Sequence, residues 1–273
     1  MAARRIRSFP IAMLTDFGYR DHYAGVMRGV IASIAPAAPV IDITHGIPAQ
    51  SVSAGALLLR ESWRYFPPKT IFVAVVDPGV GTARRPIAIE TSSGARFVGP
   101  DNGLLWPAVE QAGYRRAVEL RSPRYRLKDV SATFHGRDIF APAAAHLWLG
   151  TRLGALGPSV KQVEKLALGE VQQGPQGLRG SIIYVDGFGN LVSNIDRQSF
   201  ERFKTCFPSQ TLFVTIDSGP PIELHKTYGD ALEGTLLALF GSFQMLEIAV
   251  RGGSAAERLA ARPGAQVMVL IKR

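Results

Sequence analysis

The sequence predicts an α/β protein in which an N-terminal α/β domain precedes a smaller all-β domain. Three observations lead to this prediction. Short β-branched apolar runs alternate with amphipathic segments over residues 1–166. A stretch rich in Gly and Gln at 167–180 lacks apolar periodicity, which is typical of a linker. Short strand-like runs separated by turn signals, with little helix, fill residues 181–273 and favour a small barrel or sandwich.

The N-terminal elements follow from periodicity. Nearly unbroken apolar runs predict buried strands, and apolar residues at three- and four-residue spacing predict amphipathic helices. Strand–helix–strand order then favours a largely parallel sheet. The predicted strands are Ile11–Thr15, Val40–Thr44, Ile71–Val76, Pro86–Thr91 and Arg96–Val98, and the predicted helices are Tyr23–Ala35, Ser51–Tyr65 and Asp138–Leu149.

The C-terminal elements are shorter, and their spacing is that of an all-β domain. One amphipathic helix is expected, at Arg197–Lys204. The predicted strands are Ser181–Val185, Thr211–Asp217, Thr235–Phe240, Leu246–Val250 and Gln266–Ile271.

Composition narrows the class of protein. The chain has 273 residues, of which 47% are hydrophobic and 19% charged, as in globular proteins. No apolar run reaches the roughly 18–20 residues that span a bilayer, so no membrane partner is expected. The apolar part of the N-terminus, Phe9–Leu14, is too short for a signal peptide. A basic arm before the first strand and a cytoplasmic location are therefore expected.

The net charge of +9 raises the question of a nucleic-acid partner. Lys and Arg are scattered, however, without interleaved aromatic residues that stack on bases, so a solvated basic surface is favoured. The lone Cys206 excludes an internal disulfide and is expected to fill a small apolar space.

Polar residues follow several predicted strands, where ligands bind in open α/β sheets. Asp16 directly follows the first strand. Its carboxylate can accept hydrogen bonds from the two hydroxyls of a ribose. Alternatively, Asp16 or Asp21 caps the next helix.

Asp77 ends a predicted strand, and Arg84 follows seven residues later across a Pro-Gly turn. The turn can fold the arginine back onto the carboxylate, as a structural ion pair or as part of a site, and such a pair is expected to keep Asp77 ionised. The loop contains only GxG and no Walker lysine, so it is a weak candidate for a phosphate cradle.

Two histidines precede glycines in turns, His135 and His45. Each is a candidate catalytic group or a packed core residue. A metal site from Asp16, Asp21, His22 and His135 is conceivable, but no spacing matches a ligand pattern, so no metal is expected. In the C-terminal domain, the Asp186–Asn190 segment can hydrogen-bond to and stack on a heterocycle, or form a plain hairpin turn.

Taken together and in order, these segments resemble the S-adenosylmethionine hydroxide adenosyltransferases, a family that also contains the fluorinase and the S-adenosylmethionine chlorinase. The resemblance runs from about Ile11 to Lys272. The motifs that carry it are LTDFG (14–18), DITHGIP (42–48), VVDPGVGTARRP (75–86), GPDNGLL (99–105), TFHGRDIFAP (133–142), DGFGNLVSNI (186–195) and LEIAVRGGSAA (246–256).

The resemblance implies a C-terminal β-barrel, a homotrimer with sites at subunit interfaces, and hydrolysis of S-adenosylmethionine to adenosine and methionine without a cofactor. It assigns Asp77, Arg84 and His135 to a water-polarising catalytic triad and Asp16 to the ribose. The remaining substrate-binding residues that it implies are Asp186, Phe188, Asn190, Ser242, Glu247 and Val250.

Departures within the family distinguish the alternatives, which are halide transfer to the same carbon and non-catalytic binding of S-adenosylmethionine or adenosine. Gly136 fits hydrolases and halogenases equally. The fluorinase has a tyrosine at the Asp77 position, a tryptophan at the Gln50 position and a loop insertion absent from this chain, so water is favoured over halide. The intact triad argues against a pure binding protein. Arg251 stands where related hydrolases often have asparagine, so its role is left open.

Overall fold

In the computed structural model, residues 9–174 and 177–272 are described, and the chain divides after Leu166 into two compact units. The basic arm predicted for residues 1–8 lies outside the described residues. No helix in the described part of the chain is long and apolar enough to cross a membrane.

The first unit is built on a seven-stranded mixed sheet in the order β2-β1-β3-β5-β4-β6-β7. The α/β fold is confirmed, and the sheet is parallel from β2 to β5, whereas β4, β6 and β7 add antiparallel strands. The strands are β1 Ile11–Thr15, β2 Val40–Thr44, β3 Ile71–Val75, β4 Pro86–Thr91, β5 Arg96–Pro100, β6 Tyr114–Glu119 and β7 Ser159–Val160.

Four α-helices flank this sheet: α1 Tyr23–Ile34, α2 Val52–Ser62, α3 Trp106–Ala112 and α4 Ala141–Leu149. Helices α1 and α4 pack together and share one apolar core with β1 and β3. Helix α2 packs against α3 and β1. A π-helical turn, Gly136–Phe140, precedes α4, so the helical segment begins before the predicted Asp138.

Strand β2 differs from the prediction that it is buried. Its residues are half-buried or exposed, and Ile41 is 44% exposed. The reason is its position at the sheet edge, where only β1 pairs with it. An apolar run predicts a strand correctly here but does not distinguish a central strand from an edge strand.

The second unit is the predicted β-barrel, formed by a sheet in the order β12-β11-β15-β9-β10-β14-β13 with β8 paired to β9. A bridge between Leu224 and Ala238 joins the two ends of the sheet, so the barrel is nearly closed. Helices α5 Arg197–Thr205 and α6 Ala255–Leu259 lie beside it. Its strands are β8 Gln172–Gly174, β9 Gly177–Val185, β10 Leu191–Asp196, β11 Leu212–Ile216, β12 Ile222–Glu223, β13 Leu236–Phe240, β14 Met245–Val250 and β15 Gln266–Ile271.

Two expectations about the second unit are wrong. Part of the 167–180 stretch, residues 172–174 and 177–180, is strand rather than linker, and Gly177 is a site of close backbone packing, because a Cβ there would clash with the carbonyl oxygen of Val269. Cys206 is exposed rather than an apolar filler. It ends α5, which buries Phe200 and Phe203 on another face.

Candidate active site

The loop after β3 folds Arg84 back onto Asp77. Its turns are closed by hydrogen bonds from Val80 N to the Asp77 carbonyl (3.2 Å) and from Thr82 N and Oγ1 to the Gly79 carbonyl (3.2 and 2.7 Å). Arg84 Nε then donates to Asp77 Oδ1 at 3.0 Å, and its Nη2 donates to Oδ2. Both side chains are more than nine-tenths buried, so the two groups form a rigid bidentate pair.

The same guanidinium also reaches His135. Arg84 Nη2 lies 3.0 Å from His135 Nδ1. A guanidinium has donors only, so Nδ1 accepts this hydrogen bond and the neutral imidazole carries its proton on Nε2. Burial, and then the charge of Arg84, hold the pKa of His135 below its ordinary value. His135 is therefore neutral near pH 7, with an N–H to donate.

The segment that carries His135 is fixed by a buried carboxylate. Asp138 Oδ2 accepts from Ser131 N at 2.8 Å, and the carbonyl of Asp138 accepts from Leu127 N at 2.9 Å. This segment also packs on the Arg84 loop, because a Cβ at Gly81 would lie 2.6 Å from the Ala132 carbonyl oxygen. Gly81 has φ +78°, so glycine is required there for both conformation and space.

The electrostatics of the cluster favour binding of a small polar molecule. Burial raises the pKa of the Asp77 carboxyl, Arg84 opposes this shift, and the charge of Asp16 adds to it. Arg84 Nη1 is buried and has no hydrogen-bond partner among the described residues. A buried guanidinium donor, an imidazole N–H and a carboxylate of raised basicity thus lie together.

Asp16 follows β1 and lies near this cluster. Its Oδ2 accepts from Gln50 N at 2.8 Å, and the N-terminus of α1 has no side-chain cap, so the capping alternative is wrong for this helix. Gln50 has φ +63°, a conformation that costs about 1 kcal/mol or more and is often found at functional sites. The ring of Phe17, the residue after Asp16, packs tilted against Tyr23 and edge to face against Phe134, and Tyr23 and Phe134 also meet edge to face.

The six other predicted substrate-binding residues all line one cleft of about 1040 Å³ in the barrel unit. Asp186 shapes one wall, because its Oδ1 accepts from Phe188 N and Asn190 N and its Oδ2 accepts from Asn190 Nδ2. The segment is thus the hairpin turn between β9 and β10 and at the same time part of a cleft. Hairpin and ligand-binding interpretations are compatible.

The same cleft is also lined by a hydrogen-bonded pair that the sequence did not reveal. Tyr228 donates a hydrogen bond to Glu247 Oε1. Burial and this contact raise the pKa of the Tyr228 phenol far above its ordinary value, so it remains a donor. Burial also raises the pKa of Glu247. Arg251, whose role the sequence left open, donates to the carbonyls of Gly229 and Ala231 and so holds the loop that carries Tyr228.

Family models match both units. Residues 11–157 match the SAM hydroxide adenosyltransferase N-terminal domain, and residues 180–268 match the C-terminal domain of the same family. The chain belongs to the SAM hydroxide adenosyltransferase family. The resemblance seen in the motifs is thus confirmed.

The relatives of this chain include proteins named as hydrolases and proteins named as fluorinases. A protein named (R)-S-adenosyl-L-methionine hydrolase from Salinispora tropica is 39% identical over 95% of this chain and 97% of its own. One of the same name from Thermus thermophilus is 38% identical over 96% and 99%. A fluorinase from Nocardia brasiliensis is 27% identical over 96% of each chain.

The fold has also been seen in a crystal structure. An uncharacterized conserved protein from Thermotoga maritima superposes with a TM-score of 0.87 at 36% identity, covering 95% of this chain and 99% of that one. The hydrolase-named relatives share more identity with this chain than the fluorinase does.

Some residues of this SAM hydroxide adenosyltransferase contact the site although sequence reasoning missed them. Gly81, Asp138 and Tyr228 belong to no chemistry-bearing pattern by themselves. Gly81 and Asp138 lie inside quoted motifs, which is the one signal that pointed near them. No group of three or more His, Cys, Asp or Glu side chains within 9–174 and 177–272 is arranged to hold a metal ion.

Proposed function

We propose that this chain hydrolyses S-adenosylmethionine to adenosine and methionine by in-line attack of water on ribose C5′, with no cofactor. One observation carries the proposal: the Arg84 guanidinium joins Asp77 and His135 in a buried cluster beside Asp16. The hydrolase names of full-length relatives at 38–40% identity support it.

The leaving group is a neutral thioether, so the reaction needs no acid to expel it. The difficulty lies with water, a weak nucleophile that must be desolvated and aligned. In the proposed step the water oxygen forms its bond to C5′, the C5′–S bond breaks, and its electron pair stays on sulfur. One water proton must leave.

The hydrogen-bond directions assign the parts. His135 donates its Nε2 proton to the water oxygen and orients it, because its Nδ1 is already occupied by Arg84. The positive charge of the buried Arg84 guanidinium stabilises hydroxide-like charge on the attacking water. Asp77 accepts the proton, since burial makes its carboxylate more basic than an exposed one.

Substrate recognition is divided between the two units in this proposal. Asp16 accepts hydrogen bonds from the ribose hydroxyls through its remaining lone pairs. In the barrel cleft, the carboxylates of Asp186 and Glu247 favour a cationic ligand over a neutral one. Asn190 contributes amide hydrogen bonds there, and Phe188 contributes an aromatic face.

We also propose a homotrimer in which Asp16 of one subunit and Asn190 of its neighbour serve one substrate. Support comes from the family resemblance and from apolar surface on the isolated chain. Phe188 and Leu232 are 82% and 81% exposed. Edge strand β2 exposes Ile41, and open apolar edges of this kind are commonly covered by another chain.

The decisive experiment is a product assay on the purified chain. The (R) and (S) sulfonium epimers of S-adenosylmethionine are incubated separately in halide-free buffer, and products are separated by chromatography. Adenosine and methionine are expected, with the (R) epimer turned over faster, as the names of the relatives indicate, and with unchanged yield in EDTA.

Matched arms distinguish the alternatives. Added chloride is expected to leave the products unchanged, and 5′-chloro-adenosine would identify halide transfer instead. Binding of either epimer without turnover would indicate a binding protein. Activity abolished by EDTA would contradict the cofactor-free mechanism.

A further inference from the structure

A chain of buried polar side chains runs beneath the loop that carries Asp16. Thr15 and His45 are both fully buried, and Thr15 Oγ1 lies 2.7 Å from His45 Nδ1. On its other side, His45 Nε2 lies 3.2 Å from Asp42 Oδ1. The proposed reaction uses none of these three side chains.

The direction of this chain follows from its neighbours. Asp42 Oδ1 lies 3.2 Å from His45 Nε2, and a carboxylate can only accept, so the ring proton belongs on Nε2 and Nδ1 accepts from the Thr15 hydroxyl, whose oxygen also accepts from Phe17 N at 3.2 Å. The contact with Asp42 is one of charge and proximity, because His45 Nε2 has no partner within hydrogen-bond geometry among the described residues. Asp42 is in turn held by Arg28, whose Nε donates to Oδ1 at 3.0 Å.

Groups packed around Asp42 keep it charged. Burial alone would raise the pKa of its carboxyl, but Arg28 and His45 together hold that pKa below the ordinary value. Tyr19 OH lies 3.4 Å from Asp42 Oδ2, and the Tyr19 ring meets His45 edge to face at 5.2 Å. The anchor of the chain is therefore an ionised carboxylate.

His45 fixes the backbone on the C-terminal side of Asp16 by two routes. Through Thr15 it orders the amide of Phe17, and its own carbonyl accepts from Gly18 N at 2.7 Å. Two successive amides after Asp16 are thus held, and Gln50 N holds the carboxylate itself. Few rotations remain by which the carboxylate of Asp16 could turn away.

We propose that His45, acting through Thr15 and anchored by Asp42, is a positioning residue that orients the Asp16 carboxylate toward the ribose hydroxyls. This inference rests on the proposed role of Asp16 in binding the substrate's ribose. It gives His45 a function that packing alone does not require, because a buried apolar side chain would fill the same space without the hydrogen bonds.

The test measures recognition of ribose, independent of turnover. Binding of adenosine and of 2′-deoxyadenosine to the full chain is measured by calorimetry. A hydrogen bond to a carboxylate contributes about 1.5–3 kcal/mol, so the wild type is expected to prefer adenosine by about 10–100-fold. Asp16→Asn sets the lower limit of that preference.

Thr15→Val removes the hydroxyl at similar volume and is expected to reduce the preference to near that of Asp16→Asn. In an Asp16→Asn background, Thr15→Val should change the affinity for either nucleoside less than about twofold. The reason is that Thr15 acts through the Asp16 carboxylate, so the two substitutions are not additive. Thr15→Ser restores the hydroxyl and should restore the preference. His45→Gln serves as a second variant if Thr15→Val folds poorly.

Thr44→Val is the matched control. Thr44 Oγ1 accepts from Gly46 N at 2.9 Å in the same segment as His45, and among the described residues its hydroxyl makes no hydrogen bond to Asp16, Phe17 or Gly18. It should keep the wild-type preference.

Three outcomes overturn the inference: an unchanged preference in Thr15→Val and His45→Gln, an equal loss of affinity for both nucleosides, or no preference in the wild type. A chain that prefers adenosine yet does not hydrolyse S-adenosylmethionine would refute the proposed function and leave this inference standing.

Discussion

The two groups of candidate residues differ in how firmly the protein holds them. In the first unit, Asp77, Arg84 and His135 are joined by three side-chain contacts and are held by loop hydrogen bonds around them. In the barrel unit, Asn190 and Glu247 are buried on strands or turns, whereas Phe188 and Ser242 are exposed at loop tips.

This difference is what a division between chemistry and recognition requires. Bond formation to carbon needs reacting atoms held within a few tenths of an ångström, and rigid, buried hydrogen-bonded groups meet that need. Exposed loop residues can close on a ligand or on another chain when it arrives. Substitutions in the first cluster should therefore lower kcat, whereas those in the cleft should raise KM.

The largest effect is expected for Arg84→Lys. A lysine ammonium lacks the planar fork that places separate nitrogens on the two Asp77 oxygens while reaching His135, so the cluster loses its geometry and kcat should fall by about 10³–10⁴-fold. Arg85→Lys is the control, because Arg85 also pairs with a buried carboxylate, that of Asp101, but has no contact with His135. Steady-state kinetics of both variants check this, and equal losses would contradict it.

His135→Ala and Asp77→Asn come next, each with kcat lower by about 10²–10⁴-fold and with a much smaller change in substrate affinity. The physical reason is that one orients water and the other accepts its proton, whereas neither is assigned to the substrate. Single-turnover rates and equilibrium binding separate the two quantities. A proportional rise in KM at constant kcat would show that these residues only bind substrate.

Tyr228→Phe tests the residues that are assigned to substrate recognition in the barrel cleft. It removes the donor to Glu247 and leaves a buried carboxylate without its partner. Loss of one such hydrogen bond corresponds to about 1.5–3 kcal/mol, so KM should rise by about 10–100-fold while kcat changes little. Tyr184→Phe is a suitable control, because Tyr184 is also a partly buried tyrosine of the barrel unit and does not line the cleft. A fall in kcat of the same size as that for Asp77→Asn would remove the distinction between the two regions.

The acid limb of the pH profile gives a smaller, graded effect. The folded-state pKa of His135 is below its ordinary value of about 6.5, so the imidazole stays neutral above that pH and gains a proton only at lower pH. Activity should change little between pH 7.5 and 7 and fall at lower pH, at most tenfold per unit for each proton bound. Direct NMR titration of His135 checks the assignment. A midpoint at or above 6.5 would contradict the Arg84 contact.

Long apolar runs made much of the fold predictable, and their limits are equally physical. Strands β1 and β3 are central and unbroken, so the bounds of β1 follow from the sequence and those of β3 do so except for Val76, which lies just past its end. Strand β6 escaped prediction because Arg115 and Arg116 interrupt its apolar pattern while pairing with Glu90. Helix α3 has seven residues with a proline in its first turn, too short for periodicity to show.

The candidate site also contains contacts that the sequence predicts and contacts that it does not. The Asp77–Arg84 contact is local, and a seven-residue turn was enough to predict it. The contact between Arg84 and His135 joins residues 51 positions apart, and no spacing rule brings those together. That pairing came from family resemblance. Tyr228 has no motif at all, since its partner lies on a strand whose pairing depends on the whole barrel.

The smallest expected effect tests whether the two regions serve one substrate from different chains. In a cyclic trimer, each site would combine Asp16 of one subunit with Asn190 of the next. Asp16→Ala and Asn190→Ala homotrimers should both be nearly inactive, because each lacks one partner at every site. In any mixed trimer, one of the three interfaces pairs an intact Asp16 with an intact Asn190.

Co-expression with two different tags, followed by tandem purification, should therefore yield about one third of the wild-type activity. A trimer with both substitutions in every subunit is the matched control and should stay inactive. Mixed assemblies no more active than either parent would show that each chain completes its own site, and a purely monomeric protein would exclude shared sites altogether.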